Sequence, residues 1–196
     1  NNLASFFPNK IYLVGGSVRD CLLGNDFCDR DLIVVDCDAR QFALQVAEFF
    51  NATFIPLDEE NKIYRVVMED KINYLDITNP VEGDLAKDIL RRDLTINAIA
   101  VDVRTGEIPE FCLDYVNDVE KEVIKSVRDE NFIDDPLRLL RIFRFYSLLG
   151  FEIDSHLFDV VKKNAELINR PAKERVQYEI MKLFSGEYAW DALYKM

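Results

Sequence analysis

The spacing of apolar residues changes near residue 130, and this change limits the possible folds more than any other feature of the chain. Before it, short apolar runs predict strands over Ile11–Val14, Asp31–Asp36 and Ile96–Val103, and Ala39–Phe50 has apolar residues at helical spacing. After it, three stretches have helical spacing, at residues 136–149, 155–168 and 171–184. We therefore predict an α+β fold, in which a mixed sheet with flanking helices over residues 1–128 precedes an all-α part over 129–185 and a last helix start over 186–196.

The composition is that of a globular domain outside the membrane. Hydrophobic residues make up 49% and charged residues 31% of the 196 residues. No apolar run approaches the roughly 18 residues that span a bilayer. The first residues, Asn1 to Ser5, lack the basic and apolar regions of a signal peptide. We expect a cytoplasmic protein with no membrane partner.

Charge and metal-binding residues exclude several classes of protein. The net charge of −12 argues against a general nucleic-acid-binding module, although local positive patches decide binding. The single histidine, His156, excludes His-rich metal sites, and the cysteines contain no C-x-x-C pair. We expect these thiols to be reduced and partly buried; they are Cys21, Cys28, Cys37 and Cys112.

Two aspartates, Asp29 and Asp31, directly precede the apolar run Leu32–Val35. Residues i and i+2 of an extended chain point to the same side, so these carboxylates repel each other unless a cation lies between them. Mg²⁺ binds carboxylate oxygens together with substrate phosphates. The pattern therefore predicts a Mg²⁺ site, the alternative being two solvated turn residues.

A glycine turn, Gly15-Gly16, separates the first predicted strand from a short helix. We expect Ser17 to cap that helix, the helix N-terminus to attract an anion, and Arg19 to hold a triphosphate. The alternative is an ordinary strand-to-helix turn. Phosphate ligands beside metal ligands are what phosphoryl transfer needs. Asp76, on a predicted neighbouring strand, is the candidate third carboxylate for such a site.

Four motifs, in this order, resemble those of class II tRNA nucleotidyltransferases and bacterial poly(A) polymerases. They are residues 13–24 with 29–32, residues 90–98, residues 134–141, and the set Glu174, Arg175, Glu179 and Lys182. The resemblance implies a polymerase-β-like nucleotidyltransferase head over 1–128, a helical neck over 129–185 that selects the incoming base, and the start of a body helix over 186–196. It also implies Mg²⁺ as cofactor and CTP, ATP and the tRNA 3′ end as partners.

The resemblance assigns roles residue by residue. Asp29 and Asp31 are the catalytic metal ligands, with Asp76 as the third candidate. The residues assigned to nucleotide binding are Gly15, Gly16, Ser17, Arg19, Arg91, Arg92, Asp93, Asn97, Asp135, Arg138 and Arg141. Asp135 and Arg138 are expected three apart on one helix, where an acceptor beside a donor fork can pair with a base edge. The competing interpretation is that Asp135 caps this helix before Pro136.

We therefore predict a template-independent RNA nucleotidyltransferase that adds CMP, AMP or both to the tRNA 3′ end (CCA or CC addition) by two-metal phosphoryl transfer. A poly(A) polymerase and a catalytically silent nucleotide- or partner-binding module are the alternatives. The stretch 77–84 lacks the longer segment and the arginine of CCA-adding relatives, and in the family this loss accompanies addition of CC alone. Family enzymes continue past the neck into regions that grip tRNA, so we expect a body and tail, or a partner chain, to be needed for RNA binding.

Overall fold

A computed structural model describes residues 10–26 and 29–196 of the chain. Cys28 and the first nine residues therefore lie outside the described residues. The chain forms two compact units: the first takes in residues up to Ile89 together with Asn97–Leu113, and the second Leu90–Ile96 together with Asp114–Met196. In the described part of the chain, every helix is too short or too polar to span a membrane. The functional boundary at residue 128 stays a prediction.

The first unit is built on a six-stranded mixed sheet in the order β3-β4-β5-β2-β1-β6. Its strands are β1 (Ile11–Val14), β2 (Asp29–Val34), β3 (Thr53–Asp58), β4 (Ile63–Val67), β5 (Tyr74–Thr78) and β6 (Ala100–Asp102). Strands β2 and β5 are parallel, whereas the other neighbours are antiparallel. Three helices accompany the sheet: α1 (Gly16–Leu22), α2 (Ala39–Phe49) and α3 (Leu85–Leu90). The prediction of a mixed sheet with flanking helices is confirmed.

One face of the sheet packs against α2. This helix begins after Asp38, whose carboxylate accepts a hydrogen bond from the Gln41 N–H at 3.0 Å. Its fully buried Phe42 joins a core that includes Leu32 from β2 and Ile77 from β5. Because side chains alternate along a strand, burial of this set leaves the neighbouring residues of β2 and β5 on the opposite face.

Two strand boundaries differ from the sequence-based expectation. Strand β2 begins at Asp29 rather than Asp31, since residue 29 pairs in parallel register with Tyr74 of β5. The strand expected over 96–103 is instead a 3₁₀ turn at Thr95–Asn97 followed by the short β6. Residues 93–100 are all buried, so their apolar spacing does not mark a single sheet face.

The second unit is mainly helical. Its helices are α4 (Leu113–Glu120), α5 (Asn131–Asp134), α6 (Arg138–Leu149), α7 (Ser155–Asn164), α8 (Lys173–Phe184) and α9 (Ala189–Lys195), and β7 (Val123–Ile124) pairs in parallel with β8 (Glu152–Ile153). The sequence favours a core role over base stacking for Phe143, Phe145, Phe151 and Phe158; the first three are buried, and Phe158 is partly buried and packs against the core of this unit. His156 lies in α7, where its exposed ring bonds Asp129 at 2.7 Å.

Helices α6 and α8 are joined through a close backbone approach at Gly186. The Ser147 hydroxyl donates to the Leu183 carbonyl at 2.5 Å, and the Tyr188 N–H donates to the Ser147 carbonyl at 3.0 Å. A Cβ atom at Gly186 would lie 2.1 Å from Ser147 Oγ. Glycine is therefore the residue that this contact accepts without a shift of the backbone.

Candidate functional site

The glycine turn joins β1 to α1 and lies beside the end of β2. Gly15 has φ 80° and ψ −144°, a conformation that L side chains avoid, and its N–H donates to Ile99 O at 3.0 Å. Ser17 does not cap α1, because its hydroxyl donates to the Val14 carbonyl at 3.2 Å and Gly15 occupies the cap position. The capping prediction for Ser17 was therefore wrong, since a glycine already supplies the turn.

Arg19 is buried beneath this turn. Its Nη1 donates to Asn97 Oδ1 at 2.5 Å and its Nε donates to Asp20 Oδ1 at 2.9 Å. A Cβ atom on Gly16 would lie 3.3 Å from Arg19 Nη2, so the missing side chain at Gly16 leaves room for the guanidinium. The structure thus brings together three residues predicted to bind nucleotide, Gly16, Arg19 and Asn97, and directs the arginine toward the asparagine.

The predicted acidic residues lie on the sheet face opposite α2. Asp31 is opposite Asp76 in the parallel β2–β5 register and opposite Val14 in the antiparallel β1–β2 register. Asp29 lies two residues away on the same side and, like Asp31, is exposed. The glycine turn and the aspartate pair therefore meet at one edge of the sheet.

The donor chemistry of Asp29 and Asp31 fits Mg²⁺, which prefers carboxylate oxygens and exposed positions where water and phosphate complete its shell. Asp76 has a different environment, because both its oxygens accept hydrogen bonds from Arg65, each at 2.7 Å. Within residues 10–26 and 29–196, no group of three or more His, Cys, Asp or Glu side chains is arranged to hold a metal. The role of Asp76 as third ligand stays a prediction.

The second unit holds the residues that follow α3. Asp93 is buried, and its Oδ2 accepts from Arg141 Nε at 2.5 Å while its Oδ1 accepts from the Leu94 N–H at 2.9 Å. Burial raises the pKa of Asp93, but the charge and hydrogen bond of Arg141 outweigh it and hold that pKa below its ordinary value. Both side chains, predicted to bind nucleotide, are thus joined to each other in this structure.

Arg141 also begins a buried chain of charges. Glu179 of α8 lies 3.0 Å from Arg144 Nη1 and 4.0 Å from Arg141 Nη1. The side chains of Arg144 and Glu179 are 8% and 6% exposed. The Arg144–Glu179 pair links α6 to α8, and the sequence signal for it was only the recurrence of arginine along α6.

Two side chains hold the backbone of residues 90–92. The Asn131 amide donates to Leu90 O at 2.9 Å and to Arg92 O at 2.7 Å, and Arg138 Nη1 donates to Arg91 O at 2.7 Å. Sequence reasoning missed Asn131, because a single asparagine at the start of a short helix carries no distinctive pattern. The backbone that carries Arg91 and Arg92 is therefore anchored from α5 and α6.

Asp135 and Arg138 do not share a helix face, which corrects the sequence-based expectation. Asp135 has φ −133° and ψ 93°, and α6 begins only at Arg138. The proline at position 136 disfavours helical geometry in the residue before it, which accounts for the difference. Asp135 Oδ1 accepts from the Leu137 N–H at 3.3 Å, and Oδ2 accepts from Arg175 Nη2 at 3.0 Å.

Family models match most of the described chain. Residues 11–125 match the model described as "Poly A polymerase head domain". Residues 150–196 match the model described as "Probable RNA and SrmB-binding site of polymerase A". The first match alone extends over more than half of the chain.

Curated relatives and solved structures agree with these matches. The chain is 36% identical over 177 residues to a CC-adding tRNA nucleotidyltransferase of Synechocystis, a match that covers 89% of this chain and 42% of that enzyme. It is 32% identical to a CCA-adding enzyme of Ligilactobacillus salivarius, over 91% of this chain and 46% of that enzyme. A crystal structure of a tRNA nucleotidyltransferase complexed with a primer tRNA and an incoming ATP analog superposes with a TM-score of 0.85 and 27% identity, over 97% of this chain and 57% of that one. This chain thus spans less than half the length of the two curated relatives.

Proposed function

This chain belongs to the family of poly(A) polymerase head domains, and we propose that it catalyses template-independent addition of nucleotides to the 3′ end of tRNA. The observation that carries the proposal is the position of Asp29 and Asp31 beside the glycine turn, through the pairing of Asp31 with Val14. Residues 1–128 form the catalytic head in this proposal, residues 129–185 the base-selecting neck, and residues 186–196 the start of the body.

The proposed reaction is a direct phosphoryl transfer. The RNA 3′-hydroxyl oxygen loses its proton to solvent and forms a bond to the α-phosphorus of the bound nucleotide, the bond from that phosphorus to the oxygen bridging to the β-phosphate breaks, and pyrophosphate leaves. Asp29 and Asp31 would hold Mg²⁺, which when bound offsets the triphosphate charge and lowers the pKa of the hydroxyl. The first-turn N–H groups of α1 at Gly16 and Ser17 offer hydrogen bonds to phosphate, while Arg19 keeps the turn in place through Asn97.

The base is proposed to be read by Asp135 and Arg138. An acceptor and a planar donor fork can satisfy the Watson–Crick edge of a nucleotide. Arg138 Nη1 holds Arg91 O at 2.7 Å and Asp135 holds Arg175 at 3.0 Å, so nucleotide would exchange these partners for its own polar atoms. In this proposal Arg141 and Asp93 support the site by fixing residues 90–96 within the second unit.

The stretch after β5 is short and is anchored at its start. The Asn79 amide nitrogen donates to Val34 O at 2.9 Å and to Cys37 O at 2.7 Å, and its oxygen accepts from the Ala39 N–H at 3.0 Å. These bonds tie the start of the stretch 77–84 to the loop between β2 and α2. We propose CC addition as the main activity, in line with the short anchored connection.

The test uses the chain with tRNA that lacks its CCA end, Mg²⁺, and labelled CTP or ATP supplied separately. The Asp29→Ala/Asp31→Ala variant removes two carboxylates from the site. The matched control, Glu59→Gln/Glu60→Gln, removes two carboxylate charges from exposed positions of the same unit. We expect CMP incorporation by the chain and the control and none by the site variant.

The nucleotides accepted decide among the activities. Incorporation of CMP without AMP supports CC addition, whereas AMP following CMP indicates CCA addition and long extension from ATP alone indicates a poly(A) polymerase. Mg²⁺-dependent CTP binding without incorporation would mean that RNA binding needs the further chain that the longer relatives possess or a partner chain. A chain that neither binds CTP nor incorporates nucleotide would refute the proposal. Incorporation by the Asp29→Ala/Asp31→Ala variant equal to that of the unaltered chain would also refute it.

A further inference from the structure

Three neighbouring strands place a cation and two carboxylates in one row across the sheet. Arg65 of β4 lies opposite Asp76 of β5, and Asp76 lies opposite Asp31 of β2. Directly opposite residues of paired strands point to the same face, so the three side chains are neighbours. The guanidinium thus stands on the same face as the proposed metal ligands, with Asp76 between them.

Three contacts restrain the Arg65 side chain. Its Nε and Nη2 each lie 2.7 Å from a separate oxygen of Asp76, which is the two-point geometry that an arginine fork and a carboxylate prefer. Its guanidinium carbon lies 4.0 Å from the centroid of the Tyr74 ring. The fork occupies one lone pair of each Asp76 oxygen and places a positive charge beside both, so a cation that bound Asp76 directly would be repelled by the Arg65 guanidinium at close range.

The charges of the acidic face match this arrangement. The carboxylates of Asp29, Asp31 and Asp76 with the single Arg65 guanidinium carry a formal charge of minus two, which one Mg²⁺ neutralises. The hydrogen bond to Asp76 raises the pKa of Arg65, with burial opposing, so the guanidinium keeps its positive charge in this arrangement.

We propose that Arg65 is a positioning residue that keeps Asp76 out of direct metal coordination, so that Asp29 and Asp31 alone supply the protein ligands of the proposed Mg²⁺ site. The inference rests on the proposed function. It follows that Asp76 contributes to cation binding only when Arg65 is removed, because the freed carboxylate then faces the site without a partner.

The test measures Mn²⁺ binding to the chain by the loss of the free-ion EPR signal. We expect Asp31→Asn to weaken binding about tenfold or more, as loss of groups at or next to a metal does. Asp76→Asn should change the affinity by about twofold at most, which is the scatter expected of independent sites. In the Arg65→Gln background, Asp76→Asn should now weaken binding about tenfold, so the two substitutions are strongly non-additive.

Two further variants separate positioning from folding. Arg65→Lys keeps the charge but not the fork, so it should release Asp76 partly and show an intermediate effect of Asp76→Asn. Arg40→Gln is the matched control, since Arg40 is an exposed arginine of the same unit, with Phe54 5.8 Å away. Far-UV circular dichroism of each variant establishes that the chain has folded, and a variant that fails this check is replaced by Arg65→Lys or by Asp76→Ser.

The outcomes distinguish this inference from the proposed function. If CMP incorporation depends on Asp29 and Asp31 but Asp76→Asn weakens Mn²⁺ binding as much as Asp31→Asn, the inference is overturned and the function stands. Additive effects of Asp76→Asn and Arg65→Gln would also overturn it. If the chain neither binds Mn²⁺ nor incorporates nucleotide, both are refuted.

Discussion

Replacing Asp93 with asparagine should destabilise the second unit through its ion pair with Arg141. The substitution keeps the shape of the side chain but removes its charge, which leaves a partly buried guanidinium without its nearest carboxylate. Asp93 is 6% exposed at its side chain and Arg141 is 30% exposed, and their atoms are 2.5 Å apart. The lost pair therefore belongs to the buried class, in which the desolvation of the remaining charge dominates the cost.

The expected loss in the free energy of unfolding is about 3 kcal/mol, the lower end of the range for breaking a buried pair. It lies at the lower end because Arg141 is partly exposed to solvent and has the Glu179 carboxylate 4.0 Å from its Nη1. With an m-value of about 2 kcal/mol/M for a chain of this size, the urea midpoint should fall by about 1.5 M. Urea unfolding followed by far-UV circular dichroism, together with fluorescence of the single Trp190, measures the change. Arg141→Met and the double variant complete a cycle that isolates the pair.

The same pair predicts a pH dependence. Arg141 holds the folded-state pKa of Asp93 below the value of about 3.9 in the unfolded chain. A depressed carboxyl pKa contributes stability that is complete above the unfolded value and disappears as the pH falls through the folded value. The difference in stability between wild type and Asp93→Asn should therefore be constant from pH 5 to 7 and shrink below about pH 4. A difference below about 0.5 kcal/mol at pH 7, or one that grows on acidification, would refute the reasoning.

Three other predictions test the packing and the turn. Gly186→Ala places Cβ 2.1 Å from Ser147 Oγ and 2.3 Å from the Ser147 carbonyl oxygen, so the free energy of unfolding should fall by about 3 kcal/mol. Gly24→Ala, which places Cβ in open space at a positive φ, is the control and should cost about 1 kcal/mol. Equal losses in the two variants would contradict the close approach at Gly186. Gly15→Ala, at φ 80°, should lower the free energy of unfolding by about 1–3 kcal/mol, measured by thermal unfolding, and should also lower CMP incorporation. No change in either quantity would contradict the strained conformation assigned to this turn. The exposed Cys21 should react with Ellman's reagent at once and the buried Cys112 only after urea is added. The Cys21→Ser/Cys28→Ser/Cys37→Ser variant keeps only Cys112, and immediate labelling of that variant would contradict the burial of Cys112.

Local patterns in the sequence predicted most of the first unit. Strand β1 has the predicted bounds, and α2 differs by one residue, because each has a clear period and a clear stop. The pairing of β2 with β5 was not predictable in this way, since it joins residues about 45 positions apart in parallel register. The start of β2 at Asp29 depends on that distant pairing, which explains the error in its boundary.

The candidate site was predictable by residue type and less so by contact. The position of Asp29 and Asp31 on one face follows from the period of a strand, whereas Arg19, Asp93 and Asp135 each have one partner that is 40 or more positions away. A functional role for Arg65 was missed because a lone arginine inside an apolar strand belongs to no recognisable motif. Its alternation with buried Tyr64 and Val66 does place it on the face opposite α2, and that signal was available.

The segment Leu90–Ile96 has a consequence for how the protein is made. It lies within the second unit although residues on both sides of it belong to the first. A ribosome adds about 5–20 residues per second, so Asp93 is added to the chain several seconds before Arg141, its ion-pair partner. During that interval Leu94 and Ile96, which are buried in the folded protein, have no completed second unit to pack against. The nascent chain therefore passes through a stage at which a chaperone has an apolar segment to bind, and synonymous codons that slow synthesis between residues 96 and 141 should lengthen that stage.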